Sequence, residues 1–476
     1  MVEKTGNGFK LSLLAFILVT SAALISIRSF PTMSEVGWQL IIFSILAIII
    51  YLIPASLISA ELATAWPEEG GVYVWVKKAF GERWGFTAIW LQWFQMTIGM
   101  IGVLTFIAGT LSYVFNPALA NNKLFDFVII VVVWWAMTFL NFRGFKAYTR
   151  ISSISVAIGV FIPTALLIIG GIWYILAGFP VQLTLHPGAA DLIPSFSSIN
   201  SLVLLITFVF LFIGIEMTAA HAGEIENVKR NYPLGIMVVG VVMAVVCTIG
   251  ALIVSMLVPN ASVNLLAGIM QSFVTIFQKI GMPWLIVIIG LMIAIGAIGQ
   301  VSTWILGPVR GLLVTARHGS LPPSLQKMNK NGIPVNMLLF QAIVVTFWGL
   351  VYLLLPGGVN SSFFLLFALT TSVYIVMYFL MFAAAIRLRY THPEVPRPFK
   401  VPGGNAGMWG MAGFGFIVMI FLLLLSLLPP SQIASTGGMG YYTAFMCIGT
   451  AVVVAIPIII HLFSKPEWKQ VEKKES

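Results

Sequence analysis

The chain has 476 residues, of which 59% are apolar and only 8% charged. A soluble domain carries roughly 25% charged residues, so this composition excludes a water-soluble globular protein and makes lipid the solvent for most of the chain. The net charge of +10 does not point to nucleic acid, because its basic residues lie between apolar runs, where membrane proteins carry a cytoplasmic loop bias.

The apolar run from Leu11 follows Lys10 at once, with no small-residue cleavage site after it. It is read as a permanent span rather than a leader. At about 20 apolar residues per span, the chain divides into twelve. They cover roughly 11–36, 38–62, 84–115, 123–141, 151–178, 197–221, 233–258, 283–316, 334–356, 361–389, 407–428 and 440–463. Residues 1–10 and 464–476 are then tails.

The loops alternate in charge. One set carries Lys4 and Lys10; Lys77, Lys78 and Arg83; Arg143, Lys146 and Arg150; Lys229 and Arg230. It continues with Arg310, Arg317, Lys327 and Lys330; Arg387, Arg389, Arg397 and Lys400; Lys465, Lys469, Lys473 and Lys474. That set holds 22 of the 25 basic residues, against Lys123 and Lys279 in the other and Arg28 within the first span. The positive-inside rule places both termini in the cytoplasm of an inner membrane. Two further segments, Gly70 to Trp84 and Leu265 to Ile280, look amphipathic and are read as interfacial helices or vestibule covers. Cys247 and Cys447 fall in apolar runs without metal-ligand spacing and are expected to be buried thiols.

Two spans are interrupted. Span 1 contains Ser26-Ile27-Arg28-Ser29-Phe30-Pro31, and span 6 contains Gly214-Ile215-Glu216 followed by Thr218 and His221. They are five spans apart, the spacing of corresponding members of a 5+5 inverted repeat, in which broken helices hold substrate at the midplane. Each carries one ionisable residue within the membrane, which marks a functional candidate. Two readings stay open: Arg28 faces a substrate, or it pairs with Glu216 and only locks two helices.

These residues resemble a family. Gly214-Ile215-Glu216 with Gly223 to Pro233, and Gly307-Pro308-Val309-Arg310-Gly311 through Leu321-Pro322 to Pro334, are similar to signatures of the amino acid–polyamine–organocation superfamily. Glu68 to Tyr73, Gly268 to Gln271 and Met328 to Pro334 resemble the bacterial glutamate/γ-aminobutyrate antiporter group. The resemblance runs from about residue 11 to 463. It implies an all-α membrane protein with a LeuT-like core, spans 1–5 (11–178) and 6–10 (197–389) as inverted repeats, and spans 11 and 12 (407–463) outside it. It also implies alternating access and sodium-independent exchange of amino acids.

Carried over position by position, the first break near Ala23, Ile25, Ser26 and Ile27 would receive the substrate carboxylate. The carbonyls of Phe210 and Ile213, beside Gly214, would face its ammonium. Glu216 would couple substrate or pH to gating, and Trp304 would cover the substrate. Half-helix N–H groups suit a carboxylate and unwound carbonyls suit an ammonium, and an α-amino acid offers both.

Three positions depart from the family pattern. Leu24-Ile25-Ser26-Ile27 replaces a glycine-rich break, Gln300 stands where an acidic residue is usual, and Arg28 stands in place of an aromatic. The tail after span 12 is short, so no carboxy-terminal plug is expected. If Arg28 faces the cavity beside a neutral Gln300, glutamate, aspartate or an amide is favoured over a cationic amino acid; if Glu216 uses up Arg28, the cavity is effectively neutral and suits glutamine, γ-aminobutyrate or another zwitterion.

The remaining polar residues have plainer readings. Asp126 is expected to be solvated at the end of span 4, and Glu61 to anchor the loop that follows span 2. His186, His318, His392 and His461 fall in loops or at span ends. No HExxH, GxSxG or phosphate loop occurs, so neither an enzyme nor a cofactor is expected. The expected partners are amino acids and lipid, not nucleic acid, and a homodimer is one assembly open to the chain. The alternatives are a proton-coupled symporter, disfavoured by the lack of a basic residue within span 5, and a sensor that binds without transport.

Overall fold

The computed structural model describes residues 11–68, 70–143, 155, 157–195, 199–429 and 438–469. Lys4, Lys10, Glu69, Lys146, Arg150, Lys473 and Lys474 lie outside the described residues. Within the described residues the regular elements are helices. The long helical segments and four shorter helices run α1 (Leu13–Leu24), α2 (Phe30–Ser34), α3 (Gly37–Ala65), α4 (Val72–Phe80), α5 (Glu82–Phe115), α6 (Lys123–Asn141), α7 (Ala157–Leu176) and α8 (Ile199–Phe212). They continue with α9 (Val228–Leu257), α10 (Gly268–Ile280), α11 (Leu285–Ser320), α12 (Val335–Leu354), α13 (Val359–Thr391), α14 (Gly404–Ser426) and α15 (Gly438–Leu462).

Among the described residues, eleven helices are long and apolar enough to cross a membrane. Their limits follow the apolar runs of the sequence closely, from Gly37–Ala65 to Gly440–Leu462. The first expected span is instead two short pieces, α1 and α2, of 12 and 5 residues. Each is shorter than the roughly 20 residues a straight span needs.

The surface confirms the solvent. Exposed apolar pairs recur one turn apart: Ile45 and Ile49, Val128 and Val132, Val241 and Val245, Ile448 and Val452. On a soluble helix such a stripe would be polar; here it faces lipid. The most enclosed helices are α5 and α13, with 67% and 72% of their apolar windows buried, whereas α15 has 17%. The centre of the molecule is therefore built on α5 and α13, and α15 lies at the edge. Close approach is made possible by small residues. The backbones of Gly159 in α7 and Gly296 in α11 touch, so neither position can carry a Cβ.

Proline shapes two helices. In α3 a π turn at Ile48–Leu52 precedes Pro54, and in α7 one at Ala157–Phe161 precedes Pro163. A proline ring lacks the N–H and crowds the carbonyl four residues back, and the widened turn absorbs that clash.

Several sequence expectations are corrected here. Asp126 is not solvated: it is fully buried and accepts a 2.6 Å hydrogen bond from Tyr352 of α12. Its neighbour Lys123 reaches the carbonyl of Leu355 at 2.6 Å, so the start of α6 is tied to the end of α12. Cys447 is exposed on α15, whereas Cys247 is buried. The segment from Gly70 is no surface helix, since Val72 to Val76 of α4 are buried. Glu61 anchors not the following loop but the far side of the sequence: Arg389 donates to both its oxygens at 2.6 Å, and the Val401 N–H at 2.8 Å.

Candidate functional site

The break between α1 and α2 is set by backbone chemistry. Ile25 closes α1 through a 2.8 Å bond from its N–H to the Ser21 carbonyl, then turns extended with ψ 118°. Ser26 is also extended, with φ −133° and ψ 118°. Pro31, in the first turn of α2, has no N–H to return to Ile27, so the helix restarts rather than continues. β-Branched Ile25, which favours extended backbone, opens the break with Ser26, and a 3₁₀ turn over Ile27–Ser29 leads into α2.

The second break lies at Gly214. Its φ of +98° belongs to the left-handed region, which only glycine enters without strain. Beyond it the chain follows a tighter 3₁₀ path over Ile215–Glu224. The N–H of Gly214 donates to the Tyr378 hydroxyl at 3.3 Å, so α13 receives one of the backbone groups freed by the break.

Between the two breaks lies a cavity of about 120 Å³. At about 10–15 Å³ for each water-sized occupant, it has room on the order of ten heavy atoms, the size of one small amino acid. Its wall takes Ser26, Arg28 and Thr32 from the first break, Phe210 and Ile213 from the second, and Gln300 and Trp304 from α11. Arg28 is the only charged side chain among the described lining residues.

Other predicted residues fall elsewhere. The side chains of Ile25 and Ile27 are buried in the core, away from the cavity. The side chains of Ala23 and His221 lie outside the described residues. The Phe210 carbonyl is occupied locally by the Ile213 N–H at 3.2 Å. Gln300 donates its side-chain amide to the Ile25 carbonyl at 3.2 Å and so closes one polar group of the first break. The ring of Trp304 ends 3.5 Å from where a Cβ on Gly214 would stand, so it lies directly over the second break.

Arg28 and Glu216 do not pair. Glu216 sits one residue behind the wall, where Gln92 donates to it at 3.1 Å and the hydroxyls of Tyr374 and Tyr378 complete its bonds. Arg28 extends to the opposite side: a Cβ on Gly102 would meet its Nη1 at 3.2 Å. Its Nε is buried without a hydrogen-bond partner, and among the described residues no carboxylate forms an ion pair with it.

Two broken helices around a small, mainly apolar cavity with one charged side chain suit a transporter, and comparison with known proteins shows the family. A family model described as amino acid permease matches residues 11–453. The chain belongs to the amino acid permease family. It is 36% identical to an uncharacterized transporter of Legionella pneumophila over 98% of both chains. It is 34% identical to a glutamate/gamma-aminobutyrate antiporter of Lactococcus lactis over 96% of this chain and 91% of the other. A probable agmatine/putrescine antiporter of Lactococcus lactis is 27% identical over 88% of both. The family makes this chain a multi-pass membrane transporter of amino acids rather than an enzyme.

The permease cavity also contains residues that the sequence reading missed. Gln95, Gly99 and Gly102 of α5 form one wall, and Phe363, Thr370 and Tyr374 of α13 another. Gln92 and Gln95 are two amides one turn apart in a 34-residue apolar helix, and such polar residues within a span are themselves a signal. Tyr374 has two roles in the permease: it lines the cavity and it holds Glu216. It thereby joins the cavity wall to the carboxylate one layer back.

Proposed function

We propose that this permease is an inner-membrane antiporter that exchanges an acidic amino acid or its amide for a related amino acid or decarboxylation product by alternating access. The observation that carries this reading is Arg28. A guanidinium stays charged in proteins, and here it faces the cavity with no carboxylate paired to it among the described residues. A substrate carboxylate can occupy the planar fork bidentately. A cationic substrate such as agmatine would face repulsion there.

The rest of the site takes the amino acid backbone. The first N–H groups of the α2 half-helix suit the α-carboxylate. Trp304 covers the bound molecule, and Glu216 links the second break to α5 and α13. The architecture proposed for this cycle has twelve spans, counting α1 and α2 as one, with spans 1–5 and 6–10 as inverted repeats and the last two outside.

Both termini are placed in the cytoplasm. The 22-to-2 division of loop charge supports this. So does the gathering of basic groups at one end, where Arg387 lies 5.1 Å over Phe80 and Lys469 adjoins Gly319. Counterflow into proteoliposomes, with glutamate, aspartate, glutamine, γ-aminobutyrate, lysine and arginine as competitors, tests the function. Acidic amino acids and their amides should compete best. Best competition by lysine or arginine would refute the assignment of Arg28, and binding without any flux would mark a sensor.

A further inference from the structure

We propose that Arg28 makes exchange obligatory: its charge, uncompensated by the protein, holds back the empty carrier from reorienting, and the carboxylate of a bound amino acid releases it. This rests on the reading of the cavity as the substrate site and concerns what couples the two half-cycles there.

Among the described residues no carboxylate balances Arg28, and the buried ones of the membrane core are held by other groups. Glu216 is held by Gln92, Tyr374 and Tyr378. Glu61 is held by Arg389 and lies 3.3 Å from Arg397. The polar neighbours of Arg28, Ser29 and Gln300, which donate to the Ser26 and Ile25 carbonyls, are uncharged and cannot balance a cation. On its other side the guanidinium lies against Gly102, which has no side chain to accept from it.

Alternating access requires the cavity to close on both sides between its two open states. While one side is open, water solvates Arg28. Closing around an empty cavity removes that water, and arginine cannot escape by losing its proton. An uncompensated charge in a dry interior costs far more than a paired one. With a substrate carboxylate in the fork the pair closes together, so the loaded carrier crosses and the empty one does not. The free-energy difference between loaded and empty closure is the whole of the coupling.

The test uses full-length protein in proteoliposomes loaded with radiolabelled glutamate or glutamine. These are diluted into medium with or without the same unlabelled amino acid. The parent should release label at least about tenfold faster into the medium that contains amino acid, as expected when one step of the empty cycle is slowed by a single buried charge. Arg28→Lys keeps the charge and should keep a strong preference. Arg28→Met removes it, and the ratio should fall below about twofold because release without exchange rises.

An Arg28→Met variant that exchanges with the parent's ratio would overturn the proposal. So would silence of Arg28→Met in both media while Arg28→Lys works, since that assigns Arg28 to binding alone. A parent that releases label equally in both media overturns it too, yet leaves transport at this site intact. A parent that moves no amino acid in any assay would instead sink the functional reading beneath it.

Discussion

The side-chain amide of Gln300 donates to the carbonyl of Ile25 across 3.2 Å, joining α11 to the point where the first helix breaks. That direction of donation matters. A glutamate at the same position could give this bond only when protonated, since an ionised carboxylate accepts but does not donate. Ionised, it would repel the carbonyl and offer Arg28 an internal partner. Gln300→Glu is therefore expected to exchange slowly at neutral pH and to recover as the pH falls and the carboxyl is protonated. The pH profile of counterflow measures this. A variant with the parent's profile would show that the amide bond does not govern the site.

Trp304 lies over the second break, and its ring forms part of the cavity wall. A substrate ammonium against that ring gains about 0.5–2 kcal/mol. Trp304→Ala should weaken substrate binding roughly 2- to 30-fold, with the melting temperature in detergent little changed. Phenylalanine, which keeps a ring face, should recover part of the loss. If both variants bind as the parent does, the tryptophan is packing and nothing more.

The spans and both breaks were legible in the sequence because lipid makes hydrophobic length a strong signal. Pro31 and Gly214 act on the backbone locally, without reference to any neighbour. Arg28, Gln300 and Trp304 were legible as polar or aromatic exceptions in apolar runs. What depends on direction was not. Whether Arg28 turns toward Glu216 or toward Gly102 is decided by the side from which Gln92, Tyr374 and Tyr378 approach, and these come from helices far away in the chain. Asp126 failed for the same reason, because its partner Tyr352 stands 226 residues on. The cavity wall of α5 was hidden in a helix buried nearly all round, where no amphipathic face marks Gly99 and Gly102.

Gly214 offers a separate test of the second break. A Cβ there has room: its nearest neighbour would be Trp304, at an ordinary 3.5 Å. The obstacle is the backbone, since φ of +98° is strained for any residue with a side chain. Gly214→Ala should cost about 1–3 kcal/mol of stability and slow exchange, because the break and its bond to Tyr378 move together. Unchanged unfolding temperature and exchange rate would mean that the turn relaxes without consequence.

Glu61 holds two cations at the end of α3 that faces the cytoplasm in the topology proposed above. The residue is 1% exposed, and near the end of α3 it carries two guanidinium groups on one carboxylate. Arg389 from α13 binds both oxygens at 2.6 Å, Arg397 from the following loop lies at 3.3 Å, and the Val401 N–H adds a bond at 2.8 Å. Arg397 also donates to the carbonyls of Leu388 and His392, at 2.8 and 3.0 Å, so the loop after α13 folds back on the helix end. Removing the carboxylate would leave two largely buried cations facing each other with no anion between them. Breaking a buried pair from one side costs about 3–5 kcal/mol, more than deletion of an exposed pair, which is worth at most about 1 kcal/mol. Glu61→Ala should therefore lower the unfolding temperature in detergent sharply. Glu61→Gln should fall between, because an amide oxygen can accept from one guanidinium without neutralising either. Replacing Arg389 in the Glu61→Ala background should restore part of the loss, since it removes one of the two stranded charges. An additive double variant, with each change costing its full amount, would show that the three groups do not act as a unit.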